Sequence, residues 1–164
     1  MNSKFIVVEG MDRCGKDTLI KGLRKQIQNS KILDFHCSTP PKGVEPYKWS
    51  YDHYDSILKL GDTLTIGHDW DVIANRCHLG ETVYGPMYRG TDPSFVWQLE
   101  SQYCNHERMW LIVLVDDGEN IVKRDDGLSN EKSADDFDRV RDMFIESFDR
   151  SCIPNKILIN VGKD

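Results

Sequence analysis

A glycine-framed loop near the start of the chain carries the residues best suited to chemistry. Gly10 and Gly15 are separated by four residues, and Lys16 follows directly. Glycines at this spacing let backbone N–H groups turn inward around an anion, and the lysine supplies a compact positive charge for β- and γ-phosphates. The pattern predicts a phosphate-binding loop. The predicted phosphate-binding residues are Gly10, Cys14, Gly15, Lys16, Asp17, Thr18 and, from a later segment, Arg124.

The residue after the lysine departs from the usual Gly-x4-Gly-Lys-Ser/Thr pattern. Asp17 occupies that position, and the hydroxyl arrives one residue later at Thr18. Thr18 can still reach a phosphate or a magnesium-bound water from the first turn of a helix. Two roles fit Asp17, namely holding a hydrated metal ion and capping the helix. We therefore predict a Mg²⁺ site at Thr18 and Asp17 and leave the capping alternative open.

Two arginines follow a later strand pattern at residues 69–75. Arg76 comes directly after the strand and Arg89 lies in the next loop region. Ligands of α/β proteins bind at the carboxyl ends of the strands, and the planar guanidinium group holds phosphate oxygens bidentately. Both arginines are therefore candidates for phosphate binding, and a structural ion pair is the alternative for each.

Composition restricts the class of ligand. The 164 residues suffice for one hydrophobic core, and a net charge of −6 argues against a large surface for duplex nucleic acid. The five cysteines show no Cys-x-x-Cys pair, so neither a disulfide framework nor a zinc site is indicated. No apolar run reaches the ~20 residues of a membrane span and no secretory pattern precedes the first strand, so we expect a cytoplasmic protein without membrane contact.

Strand and helix patterns alternate along the chain and predict an α/β fold. In addition to the strand that begins at Phe5, strands are predicted at 31–36, 69–75, 109–115 and 156–161, and helices at 18–28, 46–60, 93–108, 121–126 and 140–148. Gly61 is the predicted stop of the second helix, and Asp92 is the predicted N-cap of the third, with Pro93 in its first position. We expect one domain over residues 1–164, with an open, mostly parallel five-stranded sheet and a short lid at about 124–136.

The run Val-Glu-Gly-Met-Asp-Arg-Cys-Gly-Lys at 8–16 resembles the phosphate loop of P-loop nucleoside monophosphate kinases. The similarity is greatest to thymidylate kinases that carry an arginine inside this loop. The chain is shorter than the cellular members and resembles the compact members encoded by large bacteriophages. The resemblance implies a three-layer P-loop NTPase fold, ATP and Mg²⁺ as cofactors, and a homodimer, because thymidylate kinases are commonly dimers.

The resemblance also implies roles for individual residues. Asp12 would contact the sugar hydroxyl of the acceptor nucleotide, and Arg13 would stabilise charge on the transferring phosphoryl group. Arg76 corresponds to the arginine of an Asp-Arg motif after the third strand. The implied catalytic residues are Lys16, Arg13 and Arg76, and the acceptor-binding residues are Asp12, Arg76, Tyr84 and Arg89.

Two positions depart from the family pattern. Asn75 occupies the place of the usual aspartate, and Asp17 occupies the place of a serine or threonine. An amide keeps the hydrogen-bonding shape of a carboxylate but carries no charge. We therefore expect Asp17 to take over part of the role in Mg²⁺ binding, and we expect Asn75→Asp to be tolerated or mildly beneficial.

Three functions remain open at the level of sequence. The first is ATP-dependent phosphorylation of a deoxynucleoside monophosphate, with dTMP or a modified pyrimidine nucleotide as the expected acceptor. The second is phosphorylation of a hydroxyl on modified DNA, for example on hydroxymethyluracil. The third is a non-catalytic nucleotide-binding module. The preferred base depends on which of five aromatic residues face the cleft: Phe35, Tyr47, Trp49, Tyr84 and Tyr103.

Overall fold

The computed structural model describes residues 2–27, 31–34, 40–124 and 127–163, with the backbone alone for 32–34. The strands are β1 (Phe5–Gly10), β2 (Lys31–Asp34), β3 (Val72–Asn75), β4 (Met109–Val115) and β5 (Asn155–Asn160). The α-helices are α1 (Lys16–Gln26), α2 (Pro46–Asp62), α3 (Leu79–Tyr84), α4 (Phe95–Tyr103), α5 (Gly118–Val122) and α6 (Ala134–Arg150). Two short π-helical segments, Thr63–Gly67 and Gly85–Arg89, follow α2 and α3.

The strands lie in the order β2–β3–β1–β4–β5, and each neighbouring pair is parallel. Burial of β1, β3 and β4 explains their nearly continuous apolar sequences, because strands in a parallel sheet are covered by helices on both faces. The predicted α/β class with a parallel sheet is confirmed. The register pairs Val8 with Asn75 and Gly10 with Leu114, so the carboxyl ends of the central strands lie side by side.

The prediction that Gly61 ends the second helix is wrong. The helix continues to Asp62 and passes directly into the π-helical segment Thr63–Gly67. A Cβ atom at position 61 would overlap the ring of Phe5 on β1. The glycine is therefore required for close packing of α2 against the sheet and not for a turn.

The third predicted helix is shorter than residues 93–108. It spans Phe95–Tyr103, and its N-cap is Ser94, so the prediction of Asp92 as N-cap is wrong. The Asp92 carboxylate instead accepts hydrogen bonds from the backbone N–H of Ser94 at 3.0 Å and from its hydroxyl at 2.8 Å. Such a local side-chain turn holds the chain just before the helix begins.

The predicted polar segment 128–136 contains the start of α6. Ser133 and Asp136 form a reciprocal capping box, which begins the helix at Ala134. The short helix predicted at 121–126 is α5 at Gly118–Val122, and residues 35 and 36 of the predicted second strand lie outside the described residues. Across the described ranges, no helix combines the length and the apolar character needed to span a bilayer.

Candidate active site

The loop between β1 and α1 has the backbone that an anion-binding turn requires. Gly10 adopts a φ of 127°, and a Cβ atom there would overlap the backbone of Leu114 on the neighbouring strand. Gly15 adopts a φ of 80° and is the N-cap of α1. Both positions therefore need glycine, and the loop ends where the free N–H groups of a helix begin.

Lys16 folds back over this loop. Its side chain is 5% exposed, and Nζ donates hydrogen bonds to the carbonyl oxygens of Gly10 at 2.9 Å and Met11 at 2.6 Å. Burial lowers the pKa of the Lys16 amine to about 8, and the positive charge of Arg76 acts in the same direction. A negatively charged ligand beside Nζ would favour the charged form again.

Two adjoining cavities flank the loop. The first, which we call the loop cavity, has a volume of about 470 Å³, and the second, the inner cavity, has a volume of about 240 Å³. Asp12 and Arg76 line both cavities, and Arg76 Nη1 donates to Asp12 Oδ1 at 3.1 Å. This ion pair therefore stands at the boundary between the two spaces.

The loop cavity brings together most of the predicted phosphate-binding and catalytic residues. It is lined by Asp12, Arg13, Gly15, Lys16, Asp17, Thr18 and Arg76, together with Leu128 and Ser129. Arg13 and Arg76 adopt φ values of 63° and 71°, in the left-handed region that non-glycine residues seldom occupy. Strained backbone of this kind is concentrated at functional sites.

The inner cavity contains all four predicted acceptor-binding residues, namely Asp12, Arg76, Tyr84 and Arg89. The Tyr84 ring packs against Phe144 in an edge-on arrangement with centroids 5.8 Å apart. Arg89 Nη2 donates to the buried carboxylate of Glu81, so this arginine makes the structural ion pair that was its alternative. Arg89 therefore borders the cavity with its positive charge already paired with Glu81.

Glu9 and Tyr88 also line the inner cavity and were missed at the level of sequence. Glu9 is buried at the end of β1, and its Oε1 accepts hydrogen bonds from the backbone N–H groups of Cys77 at 2.8 Å and Gly80 at 3.2 Å. Burial raises the pKa of Glu9. Tyr88 stacks on Tyr84 with centroids 6.2 Å apart. A carboxylate inside an apolar strand and an aromatic residue four positions after Tyr84 were the available signals.

The segment before α6 contributes lining residues to both cavities. Leu128 and Ser129 line the loop cavity, while Asn130 and Glu131 line the inner cavity. The hydroxyl of Tyr88 donates a hydrogen bond to the Glu131 carboxylate. The lid stays a prediction, and nothing in the sequence singled out Glu131.

Arg13 lies at the edge of the loop cavity. Its guanidinium carbon is 5.5 Å from the centroid of the Phe137 ring, and Nη1 is 3.5 Å from the carbonyl oxygen of Ile121. Its guanidinium group is therefore directed toward α5 and α6.

Two other predicted phosphate-binding residues do not line either cavity among the described residues. Arg124 donates to the Asp116 carboxylate and, at 3.3 Å, to the carbonyl oxygen of Arg13. Cys14 is buried beneath the loop, and burial raises the pKa of its thiol to about 11. Cys14 therefore contributes packing and a neutral thiol.

Asp17 and Thr18 are exposed on the first turn of α1 and line the loop cavity. The side-chain amide of Asn75 donates to Asp17 Oδ1 at 2.9 Å. Gly15 is the N-cap of α1, and Asp17 is the acidic residue of its first turn, where a negative charge complements the helix dipole. Both roles predicted for Asp17 therefore stay open.

Of the five candidate aromatic residues, Tyr84 alone lines the inner cavity within the described part of the chain. Tyr47 packs against Phe95, Trp49 stacks on His53, and the hydroxyl of Tyr103 donates to Asp55. Phe35 lies outside the described residues.

A parallel sheet, a glycine-framed loop between β1 and α1 and a buried lysine over that loop are the structural features of a P-loop α/β fold. No family model matches the chain. The structure is similar to that of the YorR protein of Bacillus subtilis in complex with phosphorylated GDP, with a TM-score of 0.74 at 16% identity, covering 98% of this chain and 87% of that one.

Thymidylate kinases have the same fold. The enzyme from Ehrlichia chaffeensis gives a TM-score of 0.61 at 18% identity, covering 100% of this chain and 90% of that one. The enzyme from Candida albicans gives a TM-score of 0.57 at 18% identity, covering 99% of this chain and 86% of that one. A 45-residue segment is 42% identical to the thymidylate kinase of Blochmanniella floridana and spans 27% of this chain and 21% of that protein. The chain therefore has the fold of the thymidylate kinase-like P-loop proteins, and the resemblance seen in its sequence is confirmed at that level.

Proposed function

We propose that the protein transfers the γ-phosphoryl group of ATP to a deoxynucleoside monophosphate, producing ADP and the nucleoside diphosphate. The observation that carries this proposal is the Asp12–Arg76 pair at the boundary of two adjoining cavities. ATP would occupy the loop cavity and the acceptor the inner cavity. Their phosphates would then meet at Arg76, which is the arrangement that in-line transfer needs.

Each loop residue has a defined part in this reaction. Lys16 would exchange its hydrogen bonds with two backbone carbonyl groups for the β- and γ-phosphates of ATP. Arg76 would hold the acceptor phosphate against the attacked phosphorus. Arg13 would leave the Phe137 ring and stabilise the negative charge of the transferring group.

Asp12 and Tyr84 would orient the acceptor. The Asp12 carboxylate already accepts a hydrogen bond from Arg76, and its free oxygen can accept one from a sugar hydroxyl. Tyr84 offers a ring beside the base. Mg²⁺ would be held at Asp17 and Thr18, whose oxygen donors suit this ion, and when bound it neutralises charge on the phosphate oxygens.

The similarity to two thymidylate kinases supports dTMP or a modified pyrimidine nucleotide as the acceptor. The YorR structure contains phosphorylated GDP, so guanine nucleotides belong in the same test. A coupled assay of ADP formation with each common nucleoside monophosphate would identify the acceptor. A thermal-shift panel of nucleoside monophosphates, with and without an ATP analogue, tests the assignment independently. A ligand at about 100 times its dissociation constant adds about 2.7 kcal/mol of stability.

ADP formation with none of the nucleoside monophosphates would contradict the proposal. Formation of ADP with hydroxymethylated DNA alone would instead indicate phosphorylation of a hydroxyl on modified DNA. The net negative charge of the chain and the small volume of the inner cavity disfavour this alternative. ATP binding without any turnover would indicate the non-catalytic module. The proposed homodimer is tested separately by light scattering after size-exclusion chromatography.

A further inference from the structure

We propose that Asp17, held in place by Asn75, makes the binding of a nucleoside triphosphate in the loop cavity depend on a divalent cation. Asn75 is then a positioning residue that acts through Asp17. This inference rests on the proposed function, because it concerns the same ATP site.

The loop cavity has two carboxylates in its lining, and their surroundings differ. Asp12 is ion-paired with Arg76 at 3.1 Å and lies 4.0 Å from Lys16 Nζ. Asp17 makes no ion pair within the described ranges; its hydrogen bond comes from the neutral amide of Asn75. Asp17 therefore presents a carboxylate without an ion-pair partner to the cavity that Lys16 also lines.

A polyphosphate in this cavity meets both attraction and repulsion. Lys16 favours it, while the Asp17 carboxylate repels it unless a cation lies between the two. Mg²⁺ commonly binds through one or two carboxylates together with substrate phosphates and keeps several waters. One carboxylate beside the hydroxyl of Thr18 fits that requirement, and no group of three histidine, cysteine or acidic side chains in the described residues offers a complete protein-only site.

Asn75 fixes the carboxylate without neutralising it. Its side chain is 7% exposed at the carboxyl end of β3, and its backbone is paired with Val8 on the central strand. The hydrogen bond from Nδ2 to Asp17 Oδ1 is 2.9 Å long. An uncharged donor on a rigid strand holds one oxygen of Asp17 and leaves its charge available to a metal ion.

This contact changes the expectation for Asn75→Asp. A carboxylate at position 75 would meet Asp17 at hydrogen-bond distance with no proton between them. Only a cation would relieve the repulsion among the two carboxylates and the phosphates, so Asn75→Asp should bind the analogue more weakly in EDTA and should increase the cation dependence.

The test measures binding and not turnover. The dissociation constant of a non-hydrolysable ATP analogue is determined by calorimetry in Mg²⁺ and in EDTA, and the ratio of the two values is the Mg²⁺ enhancement. Asp17→Asn should bind the analogue more tightly than the natural protein in EDTA, and its Mg²⁺ enhancement should be about tenfold smaller. Asp149→Asn removes the same charge from an exposed site on α6 and should leave the enhancement unchanged.

The role of Asn75 is tested in the same way. Asn75→Ala should lose part of the enhancement, and adding it to Asp17→Asn should produce no further loss, because both changes affect one interaction. Additive losses would overturn the positioning role of Asn75. Thermal unfolding of each variant establishes that the measurements refer to folded protein.

An unchanged Mg²⁺ enhancement in Asp17→Asn, with the analogue still bound, would overturn the inference and leave the proposed kinase intact. Absence of analogue binding by the natural protein in either condition would instead remove the proposed function. The two failures are therefore distinguishable.

Discussion

Residues at the end of β3 and in the turn that follows it face two different surroundings, the loop cavity and the buried core. Asn75 and Arg76 line or border the cavity, whereas His78 points into the core. There His78 Nε2 lies 2.8 Å from Glu100 Oε1, and the two side chains are 0% and 1% exposed. Glu100 also accepts hydrogen bonds from the Ser151 hydroxyl at 2.8 Å and from a backbone N–H.

Burial disfavours the charged form of both Lys16 and His78, but the net pKa of Lys16 is lowered and that of His78 is raised. Burial lowers the pKa of Lys16 to about 8, and the neighbouring Arg76 adds to the effect. Burial also acts to lower the pKa of His78, but contacts with Cys77 and Glu100 outweigh it and raise that pKa to about 10. The core cation has its counter-charge within the protein, at Glu100, whereas the cavity cation would gain one from an anionic ligand. Charges of the first kind should support folding, and charges of the second kind should support function.

The largest effect is expected from Lys16→Ala. Phosphoryl transfer should fall by about 10³-fold or to background, because the amine that stabilises charge on the phosphates is lost. The free energy of unfolding should be unchanged or higher, because a buried amine is costly to keep charged. Coupled kinetics and thermal unfolding test both statements, with Lys21→Ala on the exposed face of α1 as the control. A variant that fails to fold would refute the assignment.

Arg13→Ala should lower turnover by about 10³-fold while changing ATP affinity far less, since a charge directed at the transferring group acts mainly in the transition state. Single-turnover rates and calorimetric dissociation constants separate the two quantities. Phe137→Leu removes the ring beneath the guanidinium group and should have little effect on either. Equal losses of rate and affinity in Arg13→Ala would make Arg13 a binding residue.

In the core, Glu100→Gln should reduce the free energy of unfolding by about 3–5 kcal/mol, because it leaves the buried His78 charge without its counter-charge. Activity of the molecules that remain folded should be nearly normal. Denaturant unfolding measures the loss, and Glu107→Gln at an exposed position is the control. A destabilisation no larger than that of the control would show that the pair is not important for folding.

The same pair should make stability depend on pH. The pKa of His78 is raised from 6.5 to about 10 in the folded protein, so its contribution is complete below about pH 6.5 and is lost as the pH rises toward 10. Unfolding free energies of the natural protein and His78→Asn between pH 6.5 and 10 should therefore converge. A constant difference across this range would contradict the charged state of His78.

Local patterns were sufficient to predict the loop and most strands. The loop pattern depends only on the types and the spacing of Gly10, Gly15 and Lys16, so the sequence alone was enough to predict the loop. Gly61 was misread because a glycine needed for close packing against Phe5 looks the same in sequence as a helix-terminating glycine.

Contacts between distant positions could not be predicted. The Asn75–Asp17 hydrogen bond joins residues 58 positions apart, and the His78–Glu100 pair joins residues 22 positions apart. Arg124 was expected at the phosphates because of its charge, but its guanidinium group donates a hydrogen bond to Asp116, eight residues earlier. Sequence identifies which groups carry charge, whereas the partner of each charge is decided by the tertiary structure.

The smallest expected effect is a proton taken up when nucleotide binds. With a pKa of about 8, Lys16 is mostly neutral at pH 8.5 in the free protein, and phosphates beside Nζ would restore its charge. Binding at pH 8.5 should then take up roughly three quarters of a proton, and affinity should decrease as the pH rises above about 8. Calorimetry in buffers of different ionisation enthalpy measures this uptake as the slope of the apparent binding enthalpy.

Two features of the site make that measurement specific to Lys16. ATP is fully ionised at pH 8.5, and the Cys14 thiol beneath the loop has its pKa raised to about 11 by burial, so neither exchanges protons there. Lys16→Arg keeps a charge that cannot be lost at this pH and should abolish the uptake while still binding nucleotide. An equal slope for both proteins would show that another group takes up the proton and that the Lys16 amine is charged before the phosphates arrive.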